Sequence, residues 1–194
     1  MPSYRKVKAA FIHAFLGASN SSDSSAACAI PRQATLSRPE GLRHYLVATP
    51  AGPASGKRPL VMVIHGGGAS ARQVMGLAFP PSPLSVWLDI AEREQLVVIA
   101  PDAGKGGWHD CHASAARVAC KDDVAFIDAL IEHAIAAHDV DPTRVFVTGV
   151  SRGAMLTSRV AAEIAHKLAG VANVLAGLPM PGAAPYRRWR CRRC

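Results

Sequence analysis

A chain of 194 residues with 49 % apolar and 19 % charged side chains is long enough to bury a core and too apolar to be disordered. Its formal net charge of +8 would suit a nucleic-acid binder if it lay on one face. Instead Arg5, Lys6 and Lys8 near one end and Arg187, Arg188, Arg190, Arg192 and Arg193 near the other account for the whole excess, so the body is close to neutral and no basic face able to track phosphates is indicated.

Taken in chain order, residues 1–34 have the outline of a secretion signal and a linker. Three basic residues precede an apolar run over 9–16, interrupted by His13, and small residues follow through Ala29. A misassigned start codon is the alternative reading of the same stretch. Residues 17–34, rich in Ser and Ala, read as linker. No segment has the roughly 20 consecutive apolar residues that a bilayer-spanning helix needs. The expectation is a secreted or periplasmic protein without a membrane span, and a cytoplasmic one if the signal is not real.

A first strand is expected over 42–49. The continuous apolar runs 60–64 and 96–100, followed by Gly66 and Pro101, suit central strands covered on both faces. Residues 86–94 read as a helix. A loop over 102–121 carries Trp108, Cys111 and Cys120. The segment 122–138 places Val124, Ile127, Leu130, Ile131 and Ile135 at helical spacing, behind an acidic start that the helix dipole favours. A strand over 145–148, a helix from Ala154 and a strand over 171–175 follow. This alternation predicts an α/β fold with a doubly wound, mostly parallel sheet, in one domain over 35–178. Beyond 178 the pattern stops. Residues 179–194 hold Pro and Gly, then Arg and Cys, and read as translation out of frame, with a basic functional tail as the alternative.

Gly149-Val150-Ser151-Arg152-Gly153 joins a predicted strand to a predicted helix. In that context Gly-x-Ser-x-Gly predicts the nucleophile elbow of an α/β-hydrolase, with Ser151 as nucleophile. Side chains at 149 and 153 would collide with the neighbouring strand and helix. Acyl transfer also needs donors aimed at the oxygen that becomes negative. One candidate is the Arg152 backbone amide. The other lies in His65-Gly66-Gly67-Gly68 after the 60–64 strand, with Gly67 favoured and Gly66 or Gly68 as alternatives. His65 reads as structural. Trp108 is a candidate substrate contact, with a core or lid role as the alternative.

No cofactor is implied and no metal is expected. His109, Asp110 and His112 lack a further carboxylate, and Cys191-x-x-Cys194 lacks a second ligand pair. Cys111 and Cys120 would bridge in an oxidising compartment if their Cα atoms come within about 7 Å.

The stretches 59–68, 108–111, 122–127 and 144–155 occur in an order that resembles the secreted polyhydroxybutyrate depolymerase-type esterases, which include feruloyl-esterase-like members. The resemblance covers about residues 40–178. It implies a Ser-Asp-His esterase acting on a small or polymeric ester, with Ser151 as the nucleophile. In this fold the acid and histidine follow the serine in sequence. The 43 residues after Ser151 contain no Asp, one Glu (Glu163) and one His (His166). Both lie roughly 18 Å or more down the helix axis from Ser151. The expectation is therefore an α/β-hydrolase fold lacking its C-terminal strands, with an impaired triad. Two other readings stay open: a non-catalytic hydrolase remnant, and a serine peptidase on the same fold.

Overall fold

The computed structural model describes residues 29–53, 55–109 and 121–176. The expectations for the N-terminal signal over 1–28, for Asp110 and His112, for a Cys111–Cys120 bridge and for 179–194 fall outside the described residues.

Six strands form one sheet: β1 (Arg32–Arg38), β2 (Gly41–Ala48), β3 (Arg58–Ile64), β4 (Val97–Pro101), β5 (Val140–Val150) and β6 (Gly170–Val174). Their order is β1-β2-β4-β3-β5-β6. β4, β3, β5 and β6 run parallel, while β1 and β2 pair antiparallel with each other and β2 with β4. Among the described residues four α-helices accompany them: α1 (Ala71–Val74), α2 (Val86–Glu94), α3 (Asp123–Ala137) and α4 (Arg152–Ile164).

The apolar run of β3 has a residue for each face. Leu60, Met62 and Ile64 pack with Val97 and Ile99 of β4 beneath α3 and α4, against Ile127, Leu130, Ile131, Leu156 and Val160. Val61 and Val63 join Val98 and Ala100 on the other face, beneath Ala71 and Val74 of α1 and Leu88 and Ala91 of α2. A strand covered on both sides by helices must be apolar at every position, which is why β3 and β4 are legible as unbroken runs. The sheet is thus mostly parallel and doubly wound, as expected.

The structure differs from the sequence expectation at the first strand. Residues 32–34, read as the end of the linker, open β1, which pairs along its whole length with β2 from Arg32↔Val47 to Arg38↔Gly41. β1 is an edge strand whose residues are exposed or half-buried. Its alternation presents only Ala34 and Leu36 to the core, so it lacks a strong apolar signature.

α3 begins on a division of labour between two neighbouring aspartates. Asp122 caps the helix, its carboxylate accepting from the Ala125 amide at 3.0 Å. Asp123 turns inward and is fully buried. It accepts from Arg43 Nη2 at 2.6 Å and from the His109 backbone N–H at 2.6 Å. Arg43, 5 % exposed, also bonds Glu40 at 3.1 Å and lies 4.0 Å over the Phe126 ring. The buried cation is thus enclosed by two carboxylates and an aromatic face. Asp123→Ala leaves Arg43 with Glu40 and the Phe126 ring but without its buried carboxylate, and the expected loss is about 3 kcal/mol, the low end for breaking a buried pair. Urea unfolding of the variant against the parent measures it, and a change below about 1 kcal/mol would show the pair to be dispensable.

Candidate active site

β5 ends at Val150, and α4 begins at Arg152. The single residue between them is Ser151, with φ 53° and ψ −120°. A positive φ in a non-glycine residue costs about 1–3 kcal/mol and persists only where the surroundings enforce it. Here the Ser151 amide donates to Val174 O on β6 at 2.9 Å, and its carbonyl accepts from the Ala154 and Met155 amides at 3.0 and 3.1 Å. The turn is therefore fixed from the sheet on one side and from the helix on the other, and Ser151 remains exposed.

The two glycines that flank it are demanded by backbone. A Cβ on Gly153 would collide with the Ile64 and His65 carbonyls, and one on Gly149 would collide with the Gly153 carbonyl and Thr157 Oγ1. The first turn of α4 thus packs directly against the end of β3. That approach brings the glycine loop to the serine: a Cβ on Gly66 would lie 3.5 Å from Ser151 Cβ and 3.3 Å from Val150 O. A Cβ on Gly67 would come within 2.8 Å of Arg152 Cδ. Ser151, the Arg152 backbone and Gly66–Gly67 are therefore one constellation built from β3, β5 and α4. The unbonded amides at a helix start favour negative charge, and the α4 start meets the glycine loop here.

His65 lies beneath this constellation with both ring nitrogens occupied. The Ala103 amide donates to Nε2 at 3.1 Å, so Nδ1 carries the proton and donates to Gly66 O at 2.8 Å. Burial holds the imidazole below its ordinary 6.5, against opposing contributions from the Gly66 bond and the Asp102 and Asp123 carboxylates. It serves as a fixed neutral strut. Asp102 accepts from the Ala71 amide at 3.2 Å and the Gly104 amide at 2.8 Å, tying the loop after β4 to the start of α1.

Trp108 is placed differently from the substrate contact offered by the sequence. It is 1 % exposed and belongs to the core. Its indole N–H donates to His65 O at 2.8 Å, with the two ring centroids 4.9 Å apart. A side chain with so little free surface has none to offer a ligand, so the core alternative is what the structure displays. Sequence reasoning passed over Arg159, which is buried on α4. It bonds His109 O at 2.9 Å through Nη1 and Glu163 at 2.6 Å through Nε. The Arg-x-x-x-Glu spacing on a predicted helix was the available signal. Glu163 is thus occupied by Arg159, twelve residues along the chain from Ser151. A cavity of about 320 Å³ lined by Lys57, Arg58, Glu94, Asp141 and Arg144 lies at the opposite ends of β3 and β5, far from Ser151.

Two outcomes test this geometry. Gly153→Ala forces the α4 backbone away from Ile64 and His65, and the expected loss is at least about 3 kcal/mol by urea unfolding, the upper part of the overpacking range. Unchanged stability would mean that the close approach is absent. His65 is expected as the Nδ1–H tautomer, titrating below 6.5 in ring ¹⁵N shifts. The unfolded chain then binds a proton near pH 6.5 that the folded chain refuses. His65 therefore contributes a loss of stability as pH falls from above 6.5 towards the folded value. A titration midpoint at or above 6.5 would contradict this.

No protein-family model matches the chain. It is 36 % identical over 143 residues to the candidate esterase NocK of Nocardia uniformis subsp. tsuyamanensis, a match covering 72 % of this chain and 39 % of that protein. The chain thus spans about two fifths of that relative's length. Among solved structures, a CE1 ferulic acid esterase from the anaerobic fungus Anaeromyces mucronatus superposes with a TM-score of 0.64 at 14 % identity, over 84 % of this chain and 65 % of that one. An acetyl xylan esterase from Aspergillus awamori gives 0.57 at 22 % identity, over 75 % and 53 %. At such identities the superpositions speak to architecture alone. Together with the strand order and the serine turn, they establish that this chain has the α/β-hydrolase fold.

Proposed function

We propose that this chain carries the nucleophile half of a serine carboxylic-ester hydrolase. The observation that carries the reading is Ser151, held at positive φ on a strand-to-helix turn with Gly66 against its Cβ and Gly67 against the Arg152 stem. In this reading Ser151 Oγ attacks an ester carbonyl. The Arg152 and Gly67 amides donate to the oxygen of the tetrahedral intermediate, which collapses by breaking the ester C–O bond and releasing the alcohol; water then cleaves the acyl-enzyme to the acid and free Ser151. We propose further that the triad is impaired, its acid and histidine missing from this chain. His65 is committed to Gly66 and Ala103, and His166 lies beyond the far end of α4. Within esterases, we propose the polyhydroxybutyrate depolymerase or feruloyl-esterase type acting outside the cytoplasm. The support is the run of motifs from 59 to 155, together with the esterase name of the relative.

The test separates the nucleophile from the base. The purified chain is treated with p-nitrophenyl acetate with and without added imidazole, which supplies a general base in solution. Acylation is mapped by peptide mass. The expected result is acetyl on Ser151 that accumulates faster with imidazole and is absent in Ser151→Ala. Steady turnover without imidazole is expected to stay below about 1 s⁻¹, under the usual enzyme range, because oxyanion donors and binding alone leave only roughly 10³–10⁴-fold over water. A folded chain showing no adduct at Ser151 under either condition would reject the assignment.

A further inference from the structure

The contacts around the glycine loop close on themselves. From Arg152, Nη2 donates to Trp108 O at 3.0 Å. From Trp108, the indole N–H donates to His65 O at 2.8 Å. From His65, Nδ1–H donates to Gly66 O at 2.8 Å. The next residue, Gly67, returns to Arg152, because its Cα approaches so closely that a Cβ would lie 2.8 Å from Arg152 Cδ and 3.3 Å from Cγ. The circuit joins the end of β3, the segment after β4 and the start of α4, three pieces of chain that have no covalent reason to keep register.

We infer that the Arg152 side chain is a positioning residue, closing this circuit and so fixing the Gly66–Gly68 backbone against Ser151. Three features of the side chain suit it to that role. Its guanidinium is a planar fork of N–H donors, so the bond to the Trp108 carbonyl is charge-assisted and directional. Its aliphatic stem, not its charge, faces Gly67, so one side chain supplies a packing wall to one loop and a hydrogen bond to the other. Its own backbone amide is the second proposed donor to the same oxygen, so the residue sets the spacing between its amide and that of Gly67. The functional meaning rests on the esterase reading, whereas the geometry of the circuit does not.

Because the circuit contains a buried indole N–H, its integrity can be read without turnover. In Arg152→Met, which keeps a stem and removes the fork, exchange of the Trp108 indole N–H and of the Ala69 amide (bonded to Gly66 O at 3.3 Å) is expected to rise about tenfold or more, the loss of one charge-assisted bond. The β4 amides of Val98 and Ile99 report any global loss of stability. Arg152→Lys, able to donate to Trp108 O, is expected to recover part of the protection. Should the Trp108 and Ala69 protons exchange as in the parent, or accelerate only by the factor seen at Val98 and Ile99, Arg152 does not hold the loop. If Arg152→Met destabilises the whole chain, Gly67→Ala supplies the second arm: it should disturb the same two protons, and pairing it with Arg152→Ser should relieve the disturbance. Lack of relief would count against the proposal. Failure of Ser151 to acylate while these exchange differences persist would reject the esterase reading and leave the positioning role standing.

Discussion

The whole site depends on how closely the first turn of α4 can approach the end of β3. Gly153 lies against the Ile64 and His65 carbonyls with no room for a methyl group. Only at that distance does the chain leaving β3 pass in front of Ser151. A helix moved outward by the width of a side chain would still bury Leu156 and Val160 against the sheet. It would leave the glycine loop facing empty space and Ser151 without its neighbours. Ordinary apolar packing, which is non-directional, stabilises the layers, whereas this backbone contact sets their phase.

Around that contact the polar interior is arranged to hold backbone. Asp123 takes the His109 N–H, Arg159 takes the His109 carbonyl, and Arg152 takes the Trp108 carbonyl. Buried charges are costly to leave unpaired; buried Asp123 and Arg159 and half-buried Arg152 all bond the backbone of Trp108 and His109. The charges come from α3 and α4, so the two helices that cover one face of the sheet also carry the segment bordering the site. Arg43, reaching in from β2 to Asp123, ties the antiparallel margin of the sheet to the same region.

How much of this could be read from residues follows from how local each signal is. β3 and β4 were legible because strands covered on both faces are apolar at every position. The serine turn was legible because its glycines, strand and helix lie within one short stretch. α4 starts at Arg152 rather than at Ala154, since the helix begins directly after the serine and its first residues are polar or glycine. β5 extends back to Val140, a lengthening carried by one contact with Arg58 across a register shift and marked by nothing in the sequence. The Asp122-Asp123 pair read as a dipole-favoured helix start. That holds for the cap at Asp122, but Asp123 faces inward because its partner Arg43 lies eighty residues earlier, and no periodicity links the two. Trp108 was ambiguous for the same reason, because a tryptophan in a polar loop does not disclose which carbonyl its N–H will reach.

The backbone at Ser151 sets evolutionary needs at odds. Its positive φ is a conformation that glycine adopts at little cost and that serine adopts only under constraint, at about 1–3 kcal/mol. The most stable version of this turn therefore has glycine at 151 and no hydroxyl. Selection for thermal robustness alone would drift towards that residue, so under the proposed esterase reading serine is kept here for its hydroxyl and not for stability. Chains of this fold that have been freed from chemistry should betray it first at this single codon, with the surrounding core left intact.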